Sequence, residues 1–367
     1  MNYLRAAAEQ FAPQDRVLEV REYGQGNVND TFLVTLEDAV AKHFILQRLN
    51  TRVFPRPELI MGNLRVFTEH VQARLSREPV PLGRRWDGTR ALLRKDGEDY
   101  WLAPDGSFWR ALTFIEDAGS HNIIQNLDHA REVGWALGLF HQLLSDLSPT
   151  RLADTLPGFH ITPGYLGHYD RVLAQIRVNH SPEMNFCLRF VEKRRAFSFV
   201  LEDAKSRGNL LLRAIHGDPK VNNVMLDNAT GQAVGLVDLD TVKPGLVHYD
   251  LGDCLRSGCN TLGEEIENWE SACFEPEICR AILEGYLSQA GIFLTPPDYD
   301  YLYDAVRLLP FELGLRFFTD YLEGDVYFKT RRPEHNLLRA LVQFRLTESI
   351  ESQEKAIGRI IRELSKQ

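Results

Sequence analysis

The sequence predicts an α+β protein with two lobes, a small antiparallel β lobe followed by a larger, mostly helical lobe. Short strand-like segments dominate residues 1–115, whereas helical periodicities dominate residues 116–367. A polar, hairpin-like segment at 212–240 interrupts the helical part. We therefore expect an N-terminal lobe over 1–115, a C-terminal lobe over 116–367, and a cleft between them where chemistry takes place.

The first lobe contains three short segments rich in β-branched and aromatic residues, at 17–23, 31–35 and 44–49. Apolar residues then recur every three or four positions over 60–75, which predicts an amphipathic helix. Turn residues separate further short strands, and the last of these spans 108–115. These segments predict a small antiparallel sheet that carries one helix.

The second lobe contains long apolar stripes at helical spacing, over 133–147 and 338–364. Within the non-helical segment, two apolar runs at 224–226 and 234–237 are joined by the turn-forming residues 227–231. This spacing predicts a β-hairpin in the middle of the helical lobe.

Composition excludes several classes of protein. The chain has 367 residues, 44% of them hydrophobic, and 42 basic against 51 acidic residues give a net charge of −9. This balance argues against binding to nucleic acid or to an anionic membrane, and no segment has the apolar length of a membrane span or a secretory signal. We expect a cytoplasmic protein with small-molecule partners and no obligate protein partner. The five cysteines are expected to be buried, reduced thiols.

One group of closely spaced polar residues predicts a catalytic site. The segment His216-Gly-Asp-Pro-Lys-Val-Asn-Asn223 is followed by a short apolar strand that ends at Asp238. An Asp on a tight loop can accept a hydroxyl proton, while an amide and a second carboxylate bind Mg²⁺. Asp218 is therefore the candidate base, Asn223 and Asp238 the candidate metal ligands, and Lys220 a candidate catalytic cation near the transferred phosphoryl group. The alternative is a simple turn between helix and strand.

Three neighbouring residues have predicted supporting roles. His216 is expected to hold the loop in shape. Asp240 either assists with metal or pairs with a cation, and the second interpretation is favoured. Asp250 is expected to bond the catalytic loop from behind.

These residues resemble the aminoglycoside phosphotransferase and choline kinase family, which has the protein-kinase-like fold, and the resemblance is closest to bacterial N-acetylhexosamine 1-kinases. It extends along nearly the whole chain, and the segments that support it are 23–29, 45–50, 216–223, 237–241, 316–317 and 320–328. The resemblance implies transfer of the γ-phosphoryl group of ATP, with Mg²⁺, to the anomeric hydroxyl of N-acetylglucosamine or N-acetylgalactosamine. It also implies sugar contacts from Arg316 and Tyr327.

The resemblance assigns nucleotide binding to the N-terminal lobe. The turn that contains Gly24 and Gly26 would approach the phosphates through its backbone. The linker Phe114, Ile115 and Glu116 would hold the adenine.

Two positions depart from the family patterns. Protein kinases have a Lys on the third strand, where this chain has Gln47, a neutral residue that the hexosamine kinases share. Arg48 or Lys42 could supply the missing charge. Asn27 stands where a His is expected in the hexosamine kinases, which leaves the sugar preference open.

Other functions remain possible from sequence. The same fold could phosphorylate an aminoglycoside, a choline-like amine, homoserine or another sugar. A catalytically silent nucleotide-binding regulator is the alternative from a different class.

Overall fold

The computed structural model describes residues 2–12, 15–24, 28–37, 42–81, 83–176 and 181–366. Its strands are β1 (Arg16–Glu22), β2 (Asp30–Glu37), β3 (His43–Leu49), β4 (Trp101–Leu102), β5 (Phe108–Thr113), β6 (Ala118–Gly119), β7 (Arg213–Ile215), β8 (Val224–Asp227), β9 (Ala233–Leu236) and β10 (Lys243–Gly245). Its α-helices are α1 (Asn2–Glu9), α2 (Pro57–Arg77), α3 (Leu127–Leu144), α4 (Thr162–Leu173), α5 (Pro182–Arg194), α6 (Val200–Ser206), α7 (Val247–Gly258), α8 (Pro276–Ala290), α9 (Pro296–Asp300), α10 (Leu302–Glu323), α11 (His335–Ser352) and α12 (Glu354–Leu364).

The first lobe is built on a five-stranded antiparallel sheet in the order β1-β2-β3-β5-β4. Side chains alternate across β3, so Phe44 and Leu46 pack towards α1 whereas Leu49 packs towards α2. The three predicted strands and the predicted helix are confirmed. The sequence prediction missed α1, because eight residues give too short a periodic pattern.

The larger part of the chain is helical, which confirms the predicted α+β class. The predicted hairpin is formed by β8 and β9, and β6 extends it to three strands. At the contact of α3 and α8, a Cβ on Gly134 would lie 1.9 Å from the Ile282 carbonyl oxygen, so glycine allows the two backbones to touch.

The connection between the two parts runs over a few residues. The five-stranded sheet ends at Thr113, and the next strand, which begins at Ala118, pairs with β8. These limits support our proposed lobe boundary between residues 115 and 116.

Two sequence expectations concern the surface. No helix in the described part of the chain is long and apolar enough to cross a membrane. Four of the five cysteines are buried, but Cys273 is exposed, so the expectation of buried thiols is wrong there. It lies in an irregular segment ahead of α8, outside the apolar stripes that bury the other four.

Candidate active site

The loop 216–223 connects β7 to β8 and is held from behind by Asp250 on α7. The Asp250 carboxylate accepts backbone hydrogen bonds from His216 at 2.6 Å and from Gly217 at 2.8 Å. It also lies 2.9 Å from the ring Nε2 of His141. A buried carboxylate with several donors fixes a loop strongly, so the predicted role of Asp250 is confirmed.

His216 holds the loop from within. Burial lowers the pKa of its ring, although Asp250 and Asp218 oppose the shift, and this favours the neutral form. In that form Nε2 donates to the Val237 carbonyl at 3.0 Å, and Nδ1 accepts from the Asp218 amide at 3.3 Å. The ring therefore ties the loop to the end of β9, as expected from its position.

The predicted base and the predicted phosphoryl contact are adjacent. Lys220 Nζ lies 2.9 Å from Asp218 Oδ2 in an ion pair. The Asp218 carboxylate raises the pKa of Lys220 above its ordinary value, so this side chain stays protonated at neutral pH. Both side chains retain partial solvent exposure, at 27% for Asp218 and 35% for Lys220. They can therefore reach a bound substrate.

Asn223 is oriented by its own loop. Its Nδ2 donates to the Asp218 carbonyl at 2.8 Å, and the side chain is buried. Because the amide nitrogen is used in this bond, the amide oxygen remains available as a ligand.

Asp238 follows β9 in a left-handed backbone conformation with φ of +65°, which is uncommon for a residue with a side chain. Desolvation raises the pKa of Asp238 to about 7, with Asp240 and Asp218 adding to the shift and Lys220 opposing it. The residue is open to solvent while surrounding protein atoms crowd its carboxylate, so a cation can reach it from solution. The crowding of carboxylates favours a bound cation here.

The donor set fits a hard divalent cation. Asp238 supplies a carboxylate in a region of negative charge, and Asn223 an amide oxygen, both of which suit Mg²⁺. In the described part of the chain, no group of three His, Cys, Asp or Glu side chains is placed to hold a metal. A cation at this site would therefore need further oxygen ligands from a substrate or water.

Arg316 and Tyr327 line one cavity of about 450 Å³ between α4, α10 and the segment 156–159. The Arg316 guanidinium carbon lies 5.1 Å from the ring centres of both Phe159 and Tyr165, and 5.4 Å from that of Phe328. Among the described residues, no carboxylate lies within salt-bridge distance of this guanidinium. An unpaired cation against aromatic rings has donors free for a ligand.

The loop that bears Tyr327 is organised by Asp320. The buried Asp320 carboxylate accepts backbone hydrogen bonds from Val326 at 3.0 Å, Tyr327 at 2.7 Å and Phe328 at 3.0 Å, and a side-chain bond from Asn336 at 2.9 Å. Its lone pairs are thereby occupied, and the loop is fixed with Tyr327 54% exposed at the cavity.

The predicted nucleotide contacts lie on the sheet and on the linker after it. Gly24 has φ of +76°, a conformation that favours glycine, whereas Gly26 and Asn27 lie outside the described residues. The Phe114 ring packs edge-on against Tyr23, with the ring centres 5.9 Å apart.

The linker has one buried and one exposed end. Ile115 is buried, whereas Glu116 is exposed and pairs with His43 at 2.9 Å. The backbone carbonyl of Glu116 accepts a hydrogen bond from Arg85 at 2.9 Å. Gln47 lies on β3 and is treated below with its neighbours.

Sequence reasoning missed a buried pair beneath the loop. His160 Nδ1 lies 2.9 Å from Glu312 Oε1, and His160 Nε2 lies 2.7 Å from the Gly217 carbonyl oxygen. Burial opposes the charged ring, but Glu312 outweighs it and raises the pKa of His160. Both ring nitrogens face acceptors, so the charged form can donate both bonds. No local motif marks these residues, which are 152 positions apart in sequence.

The two-lobed fold with the loop 216–223 belongs to a known family of phosphotransferases. Residues 19–286 match the model of the APH phosphotransferase enzyme family. Because this match extends over most of the chain, the protein belongs to that family.

Solved structures share the fold at low sequence identity. An aminoglycoside phosphotransferase from Alicyclobacillus acidocaldarius is 13% identical with a TM-score of 0.62, over 99% of this chain and 96% of that one. The amicoumacin kinase hAmiN is 14% identical with a TM-score of 0.57, over 96% and 93%. A choline kinase from Cryptosporidium parvum is 13% identical with a TM-score of 0.56, over 95% and 92%. The predicted protein-kinase-like fold is thereby confirmed.

Proposed function

We propose that the protein transfers the γ-phosphoryl group of ATP to the anomeric hydroxyl of an N-acetylhexosamine. Membership of the phosphotransferase family supports the reaction type. The structure of the amicoumacin kinase hAmiN was solved with AMP-PNP and Ca²⁺, which supports ATP with a divalent cation, for which we propose Mg²⁺. A cytoplasmic location is part of the same proposal.

In this mechanism Asp218 accepts the proton of the acceptor hydroxyl. An anomeric hydroxyl is more acidic than an ordinary alcohol, so one positioned carboxylate suffices as a base. Lys220, paired with Asp218 at 2.9 Å, offsets charge on the phosphoryl group as it moves. Asn223 and Asp238 would hold Mg²⁺, which when bound neutralises the nucleotide phosphates.

The nucleotide contacts are part of the same proposal. The backbone at Gly24 would approach the phosphates, and the expected contact of Gly26 lies outside the described residues. Phe114, Ile115 and Glu116 would hold the adenine, with the Phe114 ring and the buried Ile115 supplying apolar surface.

The observation that supports a neutral acceptor is the unpaired guanidinium of Arg316 in the aromatic cavity. The carboxylates that line the cavity make their hydrogen bonds elsewhere, Asp320 to its own loop and Glu323 to His168 at 3.1 Å, while the charges of Asp218 and Glu312 act on the guanidinium from beyond salt-bridge distance. A guanidinium with no direct ion pair can bond hydroxyl and acetamido oxygens, and it repels a cationic group of an aminoglycoside or of choline placed against it. Tyr327 adds an exposed ring face for the sugar.

An ADP-release assay tests the acceptor. The compounds are N-acetylglucosamine, N-acetylgalactosamine, their parent hexoses, homoserine, choline and an aminoglycoside. We expect stimulation by an N-acetylhexosamine, and Arg316→Gln should raise the KM for the sugar at least tenfold while the KM for ATP stays unchanged. Turnover only with a cationic compound would overturn the sugar assignment. Nucleotide binding without turnover on any compound would favour the silent regulator.

A further inference from the structure

The third strand has no lysine, so another residue must supply positive charge to nucleotide phosphates. Arg48, the neighbour of Gln47 on β3, is excluded by strand geometry, since adjacent side chains point to opposite faces. It is half-exposed and donates through Nε to Asp30 at 2.8 Å. In the described part of the chain, Lys42 makes no side-chain bond to Gln47. Both residues expected to supply the charge are therefore displaced from this position.

The cation beside Gln47 comes from the neighbouring strand. Gln47 on β3 and Arg110 on β5 are directly paired in the antiparallel register, so their side chains lie on the same face. Arg110 donates to Gln47 Oε1 through Nε at 3.0 Å and through Nη2 at 2.7 Å. Gln47 Nε2 in turn donates to Thr31 Oγ1 at 3.1 Å, which fixes the orientation of the amide.

Arg110 points towards the predicted metal site. Its buried guanidinium forms an ion pair with Asp240, two residues after Asp238. The second oxygen of Asp240 accepts a bond from Asn29 Nδ2 at 2.7 Å. The sheet is thus bridged to the loop that follows β9, and the Arg110 charge lies close enough to act on Asp238.

Gln47 and Arg110 form one unit. A lysine at position 47 would place a second cation against the guanidinium, whereas the glutamine carbonyl accepts from it twice. Nε and Nη2 are committed to Gln47 and Asp240, and in the described part of the chain Nη1 bonds no acceptor, so Nη1 is the nitrogen that can bond a phosphate oxygen.

We propose that Arg110 binds the nucleotide phosphates in place of a third-strand lysine, with Gln47 as the residue that positions it and Asp240 as its counter-ion. This inference rests on the proposed kinase function. It predicts that the charge at this site can be moved from β5 to β3 without loss of nucleotide binding.

The test compares the binding of MgATP and of adenosine by isothermal titration. Arg110→Gln should weaken MgATP binding roughly 10- to 100-fold, the loss expected for a charged hydrogen bond, and leave adenosine binding unchanged. Gln47→Lys combined with Arg110→Gln should recover most of the MgATP affinity. Arg48→Gln, which neutralises the adjacent exposed cation, is the matched control and should bind both compounds normally.

Three results would overturn the inference. The first is unchanged MgATP affinity in Arg110→Gln, and the second is an equal loss of MgATP and adenosine, which would indicate a structural bridge only. The third is no recovery in the double variant. The double variant keeps a cation beside Asp240. Its MgATP affinity therefore tests the inference even if Arg110→Gln alone does not fold. A wild-type protein that binds neither compound would instead refute the proposed function itself.

Discussion

Gly217 provides a test of how the catalytic loop is built. Its φ is +88°, and a Cβ there would lie 2.7 Å from the carbonyl oxygen and 2.8 Å from the Cβ of Thr241. The neighbouring His216 carbonyl accepts from Thr241 Oγ1 at 2.8 Å, so the two segments are bonded where the methyl group would enter. Gly231 has a similar φ of +71° but nothing within 4 Å of its Cβ position, which makes it a matched control.

The expected cost follows from these distances. Both alanine variants incur the left-handed backbone penalty of about 1 kcal/mol. Gly217→Ala must also displace Thr241, which adds about 1–3 kcal/mol for overpacking. Urea unfolding should therefore give a loss of about 2–4 kcal/mol for Gly217→Ala against about 1 kcal/mol for Gly231→Ala. Equal stability of the two variants would refute the close approach of Thr241.

Three further predictions concern buried polar groups. Asp250→Asn places an amide against the backbone donor of Gly217, so the free energy of unfolding should fall by about 2–4 kcal/mol in urea, and a fall below about 0.5 kcal/mol would contradict the loop contact. Burial lowers the pKa of His129 to about 4, so between about pH 6.5 and 4 the unfolded chain binds a proton that the folded chain does not. The contribution of His129 to the free energy of unfolding is therefore lost as the pH falls through this range. His129→Gln should remove this part of the pH dependence of the free energy of unfolding. Glu312 raises the pKa of His160 despite burial, so the contribution of this pair to the free energy of unfolding is complete below about pH 6.5 and is lost as the pH rises through the raised pKa. Glu312→Gln should remove this loss of stability at higher pH. An unchanged pH dependence in the variant would argue against the pair.

The sequence predicted the fold well where periodicity is local. The strand β3 and the helix α2 follow from alternation and helical spacing within short windows, which are determined by which side chains must be buried. The hairpin of β8 and β9 follows from its turn residues. Such signals need no knowledge of the rest of the chain.

The candidate site was only partly predictable, because local sequence patterns reveal only those site residues that are close together in the chain. Asp218, Asn223 and Asp238 lie within one short segment, so their spacing suggested their chemistry. Arg110 lies in an otherwise apolar strand, and its partner Asp240 is 130 residues away, so nothing local distinguishes it from a surface arginine. Contacts of this kind are decided by how the lobes pack, which local patterns do not encode.

The central claim is that Asp218 activates an acceptor hydroxyl beside a bound nucleotide. The most direct measurement is sugar-dependent ADP release by Asp218→Asn, paired with the ADP affinity of the same protein. Asp203→Asn, on the exposed surface of α6, serves as the control. We predict that Asp218→Asn loses at least a thousandfold in kcat while ADP binds normally and the control remains fully active. An Asp218→Asn enzyme within tenfold of the wild-type kcat would contradict the account.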